Sequence, residues 1–220
     1  MTHTSRVINS NQAGVHDELD NIINKHLSSP YKKPYRPFSE DIFHQINEIQ
    51  KKKNLPIILD SGCGTGESTD RLADTNQDAL IIGIDKSEKR LDKFLDTQSI
   101  YHKDNLILAR SDVVDIWRLA MKANWIIKKH YLFYPNPWPK KDQLKRRWHG
   151  HPVFSDMISL CDQIELRTNW KIYAKEFKQA LEIVTNKAIL MDTINTDNFI
   201  SPFEKKYYER GHELYKVVLS

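Results

Sequence analysis

Residues 57–66 read Ile57-Ile58-Leu59-Asp60-Ser61-Gly62-Cys63-Gly64-Thr65-Gly66, an apolar run entering a turn that holds three of the chain's seven glycines. Ile57 to Asp60 has the pattern of a buried strand, and a helical pattern follows as far as Asp74. Glycines between a strand and a helix permit a tight turn and let a ligand approach the main chain. Alone, the spacing is a weak signal that a plain left-handed turn also produces. Outward from it the order repeats: a strand at Ala79 to Asp85, a helix from Ser87 to about Leu95, a strand at Leu106 to Arg110, a helix at Val113 to Met121 and a strand ending at Tyr134. Strands separated by single helices predict a parallel sheet with right-handed crossovers. Helices at Pro152 to Leu160, Trp170 to Val184 and Pro202 to Arg210 follow, with strands at Ile164 to Thr168, Ala188 to Thr193 and Glu213 to Leu219. The expectation is an α/β fold, a mostly parallel seven-stranded sheet with helices on both faces.

Acids stand at the ends of the first three strands: Asp60, Asp85 after Ile82-Gly83-Ile84, and Asp112 after Arg110-Ser111. Open α/β sheets bind ligands in the crevice at their strand ends. Asp85 is placed to accept both hydroxyls of a ribose, and Asp112 to face an adenine amino group. Carboxylates there would repel a pyrophosphate, so a nucleoside cofactor without phosphates, S-adenosylmethionine rather than NAD, fits better. Each acid also precedes a helix and could simply cap it. For Asp112 the two readings stand level.

With 220 residues and 40% hydrophobic content, the chain can bury one sizeable core. Residues 1–30 are expected to form a polar tail and an N-terminal helix, with the tail loose to about residue 14 and Val15, Leu19, Ile22, Ile23 and Leu27 at helical spacing. Residues 31–220 are expected to form a single domain. Tyr31 to Phe38 interleaves aromatic and basic residues with prolines, as an RNA contact or as a crossover packing on the core, before a helix of about ten residues ending at Lys51-Lys52-Lys53. No stretch is long and apolar enough to cross a bilayer, and the polar start lacks a secretory signal, so the cytosol is expected. Neither the two cysteines nor the nine histidines form a ligand spacing, and no metal is expected.

Residues 131–147 carry the second decisive stretch. Tyr131 to Tyr134 reads as a buried strand, prolines flank Asn136, and Trp138 precedes the cations Lys140, Lys141, Lys145, Arg146 and Arg147. Such a cluster grips phosphates or is plain solvated surface, and Trp138 stacks a base or joins the core.

The run Tyr131 to Lys141 with Lys145-Arg146-Arg147 resembles the Pro-Asp-Pro-Trp-x-Lys…Arg-Arg signature of the tRNA (guanine-N7)-methyltransferases. Arg167-Thr168-Asn169-Trp170 with Tyr173-Ala174 resembles that family's Thr-Asp-Trp…Tyr-Ala, and Ser201-Pro202-Phe203-Glu204 with Gly211-His212 its Thr-x-Phe-Glu…Gly-His. The resemblance spans residues 55–220. It implies a class I methyltransferase (Rossmann-like) fold, S-adenosylmethionine as cofactor and tRNA as partner; separately, a monomer or weak homodimer is expected. Cofactor contacts carry over to Asp60, Gly62, Gly64, Gly66, Asp85, Asp112 and Asn136, with Asn136 also the catalytic-site position. Substrate contacts carry over to Lys140, Asn169, Ser201 and Glu204, with Lys145, Arg146 and Arg147 for phosphates. Where the family has acids, this chain has the amides Asn136 and Asn169, which are expected to weaken N7 methylation rather than forbid it. Asn136-Pro137-Trp138 also resembles part of the Asn/Asp-Pro-Pro-aromatic motif of methyltransferases acting on exocyclic amines. A third reading is a catalytically weak or inactive RNA-binding homologue.

Overall fold

The computed structural model describes residues 8–95, 98–195 and 197–220; residues 1–7 of the expected tail lie outside them. The chain forms two compact units, one from Lys32–Phe133 with Ser159–Ile164, the other from the residues up to Tyr31 with Tyr134–Ile158 and Glu165–Ser220.

In the first unit, β1 (Ile57–Ser61), β2 (Leu80–Asp85), β4 (Leu106–Arg110) and β5 (Ile127–Phe133) pair in parallel in the order β4-β2-β1-β5. Every residue of β1 and β2 is buried. Parallel strands covered on both faces read as unbroken apolar runs, which is why Ile57–Leu59 and Leu80–Ile82 stand out in the sequence. Helices α3 (Glu67–Thr75), α4 (Glu88–Leu95) and α5 (Val113–Lys122) follow β1, β2 and β4. Ahead of them, α2 (Pro37–Lys53) has 17 residues rather than about ten, because Pro37 at its first turn starts the helix early and left-handed Asn54 ends it.

The described residues carry eight strands, not the expected seven. The addition is β3 (Ile100–Lys103), antiparallel to β4 across a turn at Asp104, whose φ is 49°. Short and half exposed, β3 lacks the apolar run that reveals its neighbours.

In the second unit, β6 (Ile164–Thr168), β8 (Tyr215–Leu219) and β7 (Leu190–Thr193) lie in the order β6-β8-β7, with β7 antiparallel to β8. Helix α1 (Leu19–Leu27) packs on α7 (Lys171–Thr185), and α6 (Phe154–Ser159) and α8 (Pro202–Glu209) complete the unit. Two short 3-10 helices, Lys141–Arg146 and Trp148–Gly150, carry the basic segment. No helix among the described residues is long and apolar enough to cross a membrane.

Candidate functional site

The glycine turn after β1 has the left-handed backbone its composition demands, with φ of 77° at Gly62, 62° at Gly64 and 80° at Gly66. The glycines do different work. A Cβ on Gly62 would meet nothing within 4 Å, so its backbone stays open to a ligand. On Gly66 a Cβ would lie 2.8 Å from Leu108, so there the missing side chain serves packing at the start of α3. The Gly64 amide donates to Asp85 Oδ2 at 3.0 Å.

Asp60 is fully buried beneath this turn. Its Oδ2 accepts from the Ser68 and Thr69 hydroxyls at 2.6 and 2.8 Å, while its buried Oδ1 has no hydrogen-bond partner. Burial raises the carboxyl to about 6, the two hydroxyls pull it back and the charge of Asp85 adds to the rise. Asp85 Oδ1 accepts from the Ser87 amide at 2.8 Å, so this one carboxylate ties the glycine turn to the turn after β2. Asp112 caps α5 through the Val114 amide at 3.0 Å and pairs with Arg36. Its capping role is therefore realised. Beside it, the buried Ser111 hydroxyl has no partner.

Behind the turn, the Trp117 indole donates to Ser61 Oγ at 2.8 Å, and Ser61 lies 2.8 Å from His130 Nε2. Burial lowers His130 to about 3, so it is neutral at physiological pH and acts as fixed polar packing. Three acids, an open glycine backbone and the unpaired Asp60 Oδ1 and Ser111 Oγ form a donor and acceptor set suited to the amines and hydroxyls of a phosphate-free nucleoside. S-adenosylmethionine fits that set.

In the second unit, Asn136 sits exposed between two residues of strained backbone, Tyr134 at φ 51° and Trp138 at φ 45°. Non-glycine residues pay for such conformations, which gather at functional sites. The Trp138 amide contacts Asn136 Oδ1 at 3.4 Å. The Tyr134 hydroxyl donates to Glu204 Oε2 at 2.9 Å, and Arg167 donates to both Glu204 oxygens at 3.0 and 3.1 Å. Ser201 caps α8 by accepting from the Glu204 amide at 3.2 Å. Asn169 contacts His212 at 3.3 Å. Lys140, Lys145 and Arg146 are exposed, and the Arg146 guanidinium lies 4.8 Å over the Trp138 ring.

One substrate assignment needs correction. Arg147 is wholly buried, donating to Glu176 at 2.6 Å and to the Trp138 and Lys140 carbonyls at 3.1 Å each, so it cannot reach a phosphate. Glu204 is buried too, with its oxygens accepting from Tyr134 and Arg167. Glu176 has no role among the sequence expectations, although it is the buried partner of Arg147 and His149. Burial would raise it, yet bonds from His149 and Arg147 hold it down at about 2, while burial keeps His149 low.

Residues 54–217 match the family model described as "Putative methyltransferase". The tRNA (guanine-N(7)-)-methyltransferase of Staphylococcus haemolyticus is 25% identical over 178 residues, covering 75% of this chain and 80% of that protein. Its counterpart in Staphylococcus epidermidis RP62A is 24% identical over 209 residues, covering 83% and 94%. Among solved structures, an antibiotic-related methyltransferase superposes with a TM-score of 0.58 at 16% identity, covering 85% of this chain and 96% of that one. That likeness carries the fold.

Proposed function

The chain belongs to the methyltransferase family whose model it matches, and from that premise we propose that it methylates N7 of a guanine in tRNA. The observation that carries this reading is the match to relatives bearing that activity in their names, across most of both chains. S-adenosylmethionine, when bound, supplies an electrophilic methyl group on a sulfonium. In this chain Asp60, Asp85, Asp112 and the turn at Gly62, Gly64 and Gly66 would hold it, with Asp85 taking the ribose hydroxyls.

Guanine N7 presents an in-plane lone pair and no proton, so direct displacement needs neither a general base nor a metal. Positioning therefore dominates. Asn136 and Asn169 would meet the acceptor base, while Lys140, Lys145 and Arg146 take phosphates. The protein acts in the cytosol as a monomer or weak homodimer.

An acid at position 136 or 169 would favour the positive charge that grows on the methylated guanine, whereas an amide accepts a hydrogen bond without charge. At an effective dielectric near 20 and about 5 Å, half a developed charge is worth roughly 1.5 kcal/mol, about tenfold in rate per site. Asn136→Asp and Asn169→Asp are thus expected to raise single-turnover formation of 7-methylguanosine about tenfold each. An unchanged or lower rate in the double variant would overturn this account of the amides.

A further inference from the structure

Residues 10–17, expected as the end of a loose tail and the start of a helix, are instead tied to the basic segment by side-chain bonds. Ser10 Oγ donates to the Pro139 carbonyl at 2.6 Å, and Asn11 Oδ1 accepts from the Lys141 amide at 2.9 Å. His16 Nε2 lies 3.1 Å from the Lys141 carbonyl, and Lys141 Nζ pairs with Asp17 at 2.6 Å. Beneath them, the buried Gln12 amide donates to Glu176 Oε1 at 2.5 Å and accepts from Arg147 at 3.1 Å. Arg147 in turn holds the Trp138 and Lys140 carbonyls.

We propose that residues 10–17 form a strap that positions the acceptor loop Trp138–Lys141, with Gln12 as its keystone. The inference rests on the acceptor role proposed for this segment. An amide suits the position because it donates and accepts at once. A glutamate there would face Glu176 with like charge, and an aliphatic side chain would strip a partner from both Glu176 and Arg147 while they stay buried. The strap therefore acts through Arg147 on the loop that carries Lys140 and follows Asn136, and it makes no use of the cofactor-side residues 60–66, 85 and 112.

The test compares wild type, Gln12→Leu, the exchange Gln12→Glu with Glu176→Gln, and the surface variant Ser10→Ala with Asn11→Ala. Readouts are deuterium uptake of amides 138–147, KM and kcat with unmodified tRNA, and affinity for S-adenosylhomocysteine. Gln12→Leu is expected to speed uptake in the loop and raise KM for tRNA about tenfold, with cofactor affinity unchanged. The exchange keeps one amide and one carboxylate facing Arg147 and is expected to recover most of the loss. The surface variant reproduces the loop effect in weaker form, even if Gln12→Leu fails to fold. Unchanged loop uptake in both Gln12→Leu and the surface variant overturns the proposal, as does a Gln12→Leu defect in kcat alone or one that the exchange leaves unrepaired. If wild type makes no 7-methylguanosine, the proposed function fails instead, and the exchange data still decide whether the strap holds the loop.

Discussion

Arg147→Ala lowers the free energy of unfolding by about 3–5 kcal/mol, the range seen when one partner of a buried ion pair is removed. Both side chains of the Arg147–Glu176 pair are 0% exposed, so the loss is not softened by solvent. Truncation leaves a buried carboxylate, removes the donor to two loop carbonyls and uncovers one side of the Trp170 ring, 4.8 Å from the guanidinium. Neighbouring Arg146 is exposed, and Arg146→Ala is expected to stay within about 0.5 kcal/mol. Denaturant melts of the two variants make the comparison. Equal stability would contradict the buried assignment.

His149 and Arg147, which both bond Glu176, together set an acid limit. Glu176 titrates at about 2 in the fold against an ordinary 4.5, so the unfolded chain binds its proton first as pH falls. The stabilisation is therefore complete above pH 4.5 and is lost between there and pH 2. Arg147→Ala should reduce this part of the stability profile, with the His149 bond to Glu176 retaining the rest.

The second large effect falls on cofactor affinity. Asp85→Ala is expected to weaken binding of S-adenosylhomocysteine about 100-fold, the loss of two charge-assisted bonds of about 1.5 kcal/mol each. Asp85 also accepts from the Gly64 and Ser87 amides, so its removal loosens the glycine turn as well. Asp85→Asn retains one acceptor and should lose less. Affinity for tRNA is expected to remain at the wild-type value, because the exposed cations 140, 145 and 146 are untouched. Calorimetry and filter binding report the two affinities separately. Equal calorimetric affinity for wild type and Asp85→Ala would remove Asp85 from the cofactor site.

The parallel strands were legible because burial on both faces leaves continuous apolar runs, and the glycine turn because three left-handed positions demand glycine. Buried polar chemistry was harder to see. In the run Lys145-Arg146-Arg147 the residues look alike, yet the junction between the two 3-10 helices turns Arg147 inward and leaves Lys145 and Arg146 exposed. A signal did exist. Glu176 falls on the stripe of Tyr173, Ala174, Phe177 and Ala180 along α7, and an acid on an apolar stripe requires a buried partner. The strap left no trace, since Ser10, Asn11 and Gln12 bind through side-chain hydrogen bonds that carry no hydrophobic period. Nor does a motif, which gives order along the chain, reveal that Arg167 and Tyr134 bond the oxygens of Glu204.

Nucleoside analysis of unmodified tRNA, after incubation with the protein and methyl-labelled S-adenosylmethionine, tests the central claim most directly. The account predicts label in 7-methylguanosine and in no other nucleoside. Label on an exocyclic amine, the product expected if Asn136-Pro137-Trp138 gripped an amino group, or tight tRNA binding without any labelled nucleoside, would contradict it.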